Sequence, residues 1–169
     1  MNITLIGMPG VGKSRIGRLL SNRLNYALID IDRIIELRNG KKLQKLIDCL
    51  GDKEFLRLEE NAILSIGETA YSVISPGGSS IYSESAMNFL KSISKVVFLN
   101  ASLEEIKKRP VDFSERGIVG FKEKGIDKLF EERLPLYKKY ADVTIDPKNF
   151  NNASIVDMII ELVPNDKME

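Results

Sequence analysis

Residues 3–6 form an apolar run that leads directly into Gly7-Met8-Pro9-Gly10-Val11-Gly12-Lys13-Ser14, and no other stretch of the chain constrains its fold as tightly. The spacing Gly-x-x-x-x-Gly-Lys-Ser is that of a phosphate-binding P-loop, set between a strand and a helix. Its glycines let the backbone curl so that successive N–H groups face phosphate oxygens, while the following helix points its positive end at the same spot. Gly10, Val11, Gly12 and Arg15 would line the phosphates, Lys13 would reach the β- and γ-phosphates, and Ser14 would ligate Mg²⁺. A plain glycine turn closing a βα unit has similar composition. It does not call for the Lys-Ser pair.

The chain has 169 residues and 43% apolar content, which suits one domain, residues 1–169, able to bury its own core. Lys+Arg 25 against Asp+Glu 24 leaves a net charge of +1, so no global field favours nucleic acid or an anionic membrane. The only cysteine is Cys49 and there is no histidine, so an internal disulfide and multi-thiolate zinc sites are excluded and acid–base work falls to carboxylates or lysines. No run approaches the ~20 apolar residues that span a bilayer, nor is there a secretory leader, and the expectation is a cytoplasmic monomer acting on small molecules.

Apolar β-type runs at 3–6, 27–29, 73–75, 96–99 and 143–145 alternate with helical segments, the pattern of a parallel sheet covered on both faces. Ile16, Leu19, Leu20 and Leu24 predict the buried stripe of the first helix. Ile155, Val156, Ile159, Leu162 and Val163 predict that of the last. A helical region at 33–65, broken at Asn39-Gly40 and Gly51, is expected to build a substrate pocket, and the glycine-bearing segment 110–125 is expected to be a lid loop.

Asp30 and Asp32 end the second apolar run, on the sheet edge that also carries the P-loop. Asp30 could hold Mg²⁺ through water, and Asp32 could take the proton of a substrate hydroxyl. Asp32 could equally cap a helix starting at Arg33. After the third run, Ser75-Pro76-Gly77-Gly78-Ser79 either admits a ligand close to the backbone or makes a plain turn.

With these elements placed, the chain resembles the shikimate kinase family over nearly its whole length. The resemblance rests on the P-loop, on Asp30 and Asp32, on Gly51, Phe55 and Glu59, on Ser75, Gly77 and Gly78, and on the run Glu132, Arg133, Pro135, Leu136, Tyr137, Ala141, Asp142. It implies a three-layer α/β/α P-loop NTPase fold, its five-stranded parallel sheet in the order 2-3-1-4-5. It also implies transfer of the γ-phosphate of ATP, with Mg²⁺, to a hydroxyl of shikimate. By the same resemblance Asp30, with Ser14 and Ser75, serves the metal; Asp32 and Arg133 bind the acceptor beside Gly77, Gly78 and Ser79. Arg109 packs on adenine, Arg116 in the lid reaches the reacting phosphates, and Asp146-Pro147 begins the adenine-edge loop.

The chain departs from the family pattern on the acceptor side. A substrate-binding arginine of the family falls on Leu56, its third pocket glycine falls on Ser79, and Gly117 replaces a lid proline, which should loosen the chain beside Arg116. Arg57 is the obvious compensator for Leu56. One cation fewer would suit an acceptor carrying its own ammonium, so a hydroxylated amino acid such as homoserine stands beside shikimate as an alternative. An ATP-binding regulatory module without transfer activity is the reading from another class.

Overall fold

The structure is a computed structural model that describes residues 1–110 and 112–163. Strands β1 (Asn2–Ile6), β2 (Ala27–Asp30), β3 (Ser72–Ser75), β4 (Ser94–Leu99) and β5 (Val143–Ile145) form one sheet in the order β2-β3-β1-β4-β5. Every pairing is parallel. β1 and β3 are buried along their whole length, as expected of strands covered on both faces, and β1 lies at the centre of the sheet.

Helices follow nearly every strand: α1 (Lys13–Leu24), α2 (Ile31–Asn39), α3 (Leu43–Leu50), α4 (Asp52–Leu64), α5 (Glu84–Ile93), α6 (Leu103–Lys108), α7 (Phe121–Tyr140) and α8 (Asn152–Leu162). The face that α1 buries consists of Ile16, Gly17, Leu20 and Ser21. Leu19, expected on that stripe, is exposed, and so is Leu162 on α8. On α1 the small residues Gly17 and Ser21 turn a neighbouring face toward the sheet, and Leu19 lies about 100° away from Leu20.

The region 33–65 breaks where its glycines predict: Gly40 ends α2 with φ +63°, and Gly51, with φ +77°, separates α3 from α4. α2 starts earlier than expected, at Ile31. Its N-cap is therefore Asp30, whose Oδ1 accepts from the Arg33 N–H at 3.1 Å, and Asp32 lies inside the first turn instead of capping it. Such a cap is worth about 1 kcal/mol. It also leaves the Asp32 carboxylate free for the cavity.

The loop expected over 110–125, of which residue 111 lies outside the described residues, gives way to helix before its end. α7 begins at Phe121 and kinks at Gly125, where φ is +69°. The loop is also seated, contrary to the loosening expected at Gly117. The Gly117 N–H donates to Gln44 Oε1 at 3.0 Å and the Gly120 N–H to Asp52 Oδ2 at 3.0 Å, while Ile118 and Val119 are buried. A Cβ on Gly117 would come within 2.5 Å of Leu43 Cβ. Glycine there permits close approach to α3, so its effect is to seat this loop against residues 43 and 44.

Candidate active site

The carboxyl ends of β1, β2 and β3 open onto one cavity of about 340 Å³. The P-loop forms its floor, Gly77 and Gly78 one wall, and the lid from Arg116 to Val119 its cover. In an open parallel sheet this is where ligands bind, because the loops leaving neighbouring strands diverge there.

The P-loop is built for an anion. Gly7, Gly10 and Gly12 have φ of +148°, +84° and +104°. Gly12 caps α1 without any side chain, so the first N–H groups of the helix have no competing cap. Lys13 Nζ donates to the carbonyls of Gly7 at 2.7 Å and Met8 at 3.2 Å. Burial lowers its pKa to about 8, with Asp32 pulling it back up. An ammonium held this way gains most when a polyphosphate replaces the solvent it has lost. Arg109 donates through one nitrogen to the carbonyls of Gly10 and Val11, at 2.9 and 2.8 Å, and so fixes the outer curve of the loop.

Asp32 is half-buried opposite Lys13 and lines the same cavity. Its pKa is pushed up to about 6, chiefly by burial, against the pull of Lys13. Ser75 is buried and borders the cavity, and Ser14 and Arg15 lie at its mouth. A second groove of about 980 Å³ runs between α2, α3 and the lid, sharing Ser14, Asp32 and Arg116 with the cavity and adding Asp30. No group of three or more acidic or thiol ligands that could hold a metal occurs among the described residues. Any Mg²⁺ here would rest on Ser14, the phosphates and water, with Asp30 and Ser75 behind. That fits a hard cation that keeps most of its hydration.

Arg133 is 1% exposed, yet it reaches the cavity from the buried face of α7. Its Nε donates to Tyr82 Oη at 3.2 Å, and one terminal nitrogen donates to the Val119 carbonyl at 2.8 Å. The other terminal nitrogen lies against Gly78, where a Cβ would come within 3.1 Å of it. The Tyr137 hydroxyl donates to the Gly78 carbonyl at 2.7 Å and so anchors the glycine wall from the same helix.

Several sequence-selected residues therefore meet: Gly10, Gly12, Lys13, Ser14, Arg15, Asp32, Ser75, Gly77, Gly78, Ser79, Arg116 and Arg133 all line the cavity. Others do not. Arg57, expected to stand in for the cation missing at Leu56, is exposed and paired with Glu54 at 2.9 Å, because it lies on the solvent face of α4. Pro147 is buried in the turn after β5 and borders neither the cavity nor the groove. Glu59, which carries part of the family resemblance but was given no role in the site, lines the cavity at 1% exposure. A signal was present: Phe55, Glu59, Ala62 and Ile63 form the buried stripe of α4, and a carboxylate on such a stripe is rare unless something in the fold needs it.

This fold and cavity place the chain among the P-loop kinases of small molecules. The family model described as shikimate kinase matches residues 9–164. The shikimate kinase of Haemophilus influenzae (strain PittEE) is 32% identical over 167 residues, covering 97% of this chain and 93% of that one. A shikimate kinase of Buchnera aphidicola is 35% identical over 168 residues, covering 97% of each. Among solved structures, shikimate kinase from Aquifex aeolicus superposes with a TM-score of 0.82 at 33% identity, covering 95% of both chains. The Acinetobacter baumannii enzyme in complex with shikimate superposes at 0.88 with 26% identity, over 99% of this chain and 95% of that one. The chain belongs to the shikimate kinase family, ATP-dependent phosphotransferases that act on a hydroxyl. No helix among the described residues is long and apolar enough to cross a membrane.

Proposed function

We propose that the chain transfers the γ-phosphate of ATP to a hydroxyl of a small carboxylate-bearing metabolite, with shikimate as the first acceptor. The observation that carries this reading is that Lys13, Asp32 and Arg133 line one covered cavity; in this reading they serve as phosphate cation, proton acceptor and carboxylate receptor. The Acinetobacter structure with shikimate supports the choice of acceptor.

In this reading Gly10, Val11, Gly12, Ser14 and Arg15 hold the polyphosphate through backbone N–H groups and side chains. Arg109, on the outer curve of the P-loop, borders the adenine. Arg116 and Lys13 neutralise charge on the group in flight. Ser14, with Asp30 and Ser75 behind it, would hold Mg²⁺, which would supply positive charge to offset that of the phosphates. Arg133 and the wall of Gly77, Gly78 and Ser79 fix the acceptor so that its hydroxyl faces the phosphate. That oxygen bonds to the γ-phosphorus as the bond to ADP breaks, and its proton passes to Asp32. A carboxyl held near 6 is mostly ionised at neutral pH, yet basic enough to take that proton. The loop that ends where α7 begins at Phe121 acts as a lid and excludes water from the transfer. Residues 33–65 form the acceptor-side insertion of the single domain, and the enzyme works as a cytoplasmic monomer beside its metabolite substrates.

Coupled detection of ADP release tests the reading. Release that depends on shikimate supports it, whereas acceptor-independent release, or none with any hydroxy acid, would make the chain an ATP-binding module.

A further inference from the structure

The mechanism above leaves one group of the cavity unused. Glu59 is fully buried on the apolar stripe of α4, and its Oε2 accepts from Ser79 Oγ at 2.6 Å. Its Oε1 has no hydrogen-bond partner. This oxygen is turned toward the glycine wall, since a Cβ on Gly77 would sit 2.2 Å from it. Glu59 and Gly77 both line the cavity.

Native proteins rarely leave a buried carboxylate oxygen without a donor, because the desolvation of the charge is then uncompensated. The nearby cations do not supply one. Lys13 Nζ bonds the carbonyls of Gly7 and Met8, and Arg133 bonds Tyr82 and Val119 with its remaining nitrogen against Gly78; both cations favour the ionised carboxylate from a distance, but neither donates to Oε1. Arg57 faces away and Leu56 is apolar. Ser79, the hydroxyl that stands beside the glycine pair, satisfies only the other oxygen. Burial, reinforced by the charge of Asp32, raises the Glu59 carboxyl to about 7, so near neutrality the group is poised to ionise when a cation arrives.

We propose that Glu59 Oε1 receives an ammonium group of the acceptor, and that the cavity takes hydroxylated amino acids as a second class of acceptor beside nitrogen-free hydroxy acids. This rests on the reading of the cavity as the acceptor site of an ATP-dependent kinase. A zwitterion would place its carboxylate on Arg133, its ammonium on Glu59 and its hydroxyl on Asp32, each of which lines the same space. The transfer balances as before: the hydroxyl oxygen bonds to the γ-phosphorus, the bond to ADP breaks, and the proton goes to Asp32. The ammonium is held and does not react.

The experiment compares acceptors that differ only in the amine, using the intact protein with ATP and Mg²⁺. L-serine is set against 3-hydroxypropionate and L-homoserine against 4-hydroxybutyrate, with shikimate in parallel and ADP release as the readout. At least one amino acid is expected to show a kcat/KM tenfold or more above its deaminated partner, with a KM that falls as pH rises through about 7. Glu59→Gln is expected to lower the amino-acid kcat/KM at least tenfold more than that for shikimate. The proposal is overturned if the amine gives no advantage in either pair, or if Glu59→Gln lowers both acceptor classes equally. The paired-acceptor comparison is made on the wild type, so it stands even if the variant does not fold. Turnover of shikimate without any amine advantage removes this inference alone; ADP release unaffected by every acceptor removes the kinase reading with it.

Discussion

Replacing Glu59 by glutamine should stabilise the protein at alkaline pH and do little at acid pH. In the fold this carboxyl rises from an ordinary 4.5 to about 7, first because burial penalises its charge and next because Asp32 is near. A raised acid favours folding while it stays protonated: its contribution is complete below 4.5 and is lost as pH climbs through 7. Each pH unit of displacement is worth about 1.4 kcal/mol, so the ionised side chain costs the folded state about 3 kcal/mol at pH 8. Glutamine keeps the shape and can still accept the Ser79 hydroxyl, but it never carries the charge. Urea unfolding of wild type and Glu59→Gln at pH 5 and pH 8 measures the effect. The variant's advantage should be about 2 to 3 kcal/mol larger at pH 8. An advantage that does not change with pH, or a variant that is weaker at pH 8, would refute the claim that an uncompensated charge sits at this position.

Lys13→Ala should lower phosphoryl transfer by at least about a hundredfold while the circular dichroism of the fold is unchanged; retained turnover would remove Lys13 from the chemistry. Arg133→Ala should raise the acceptor KM by about ten- to a hundredfold, the worth of one charge-assisted hydrogen bond, and affect the KM for ATP far less. Steady-state kinetics with each substrate varied would contradict the carboxylate role if both rose together. Gly117→Ala forces a side chain into the left-handed region, within 2.5 Å of Leu43 Cβ, and should lift the lid at a cost of about 1 to 3 kcal/mol. ADP release without acceptor should increase, and an unaltered background rate would show that the lid seats without that contact.

The sheet and the donor half of the cavity were legible because their signals are local. A P-loop is contiguous, its strand and helix flank it, and glycines at 40 and 51 punctuate the insertion where backbone geometry demands it. What escaped prediction depends on orientation. Arg57 and Glu59 lie on one helix, and only the rotation of α4 decides that the cation faces water and the acid faces the cavity. Residue order likewise left Asp32 open as the cap of α2, yet that helix starts early enough for Asp30 to take the role. At Gly117 the freedom of the residue was readable, but its use was not, because the nearby backbone that requires it belongs to residues 43 and 44, far away in the chain.

The position of β1 at the middle of the sheet divides the molecule into a chassis and a fitting. The phosphate loop hangs from the strand clamped on both sides, whereas the proposed acceptor side draws on the outermost strand β2 with the helices that follow it, the turn after β3 and Arg133 of α7. Remodelling can therefore be confined to the rim. On the proposed reading, exchanging side chains on α4 and in residues 77–79 would change what is phosphorylated without disturbing the loop that holds the phosphates, so this architecture would lend itself to retargeting by a few substitutions.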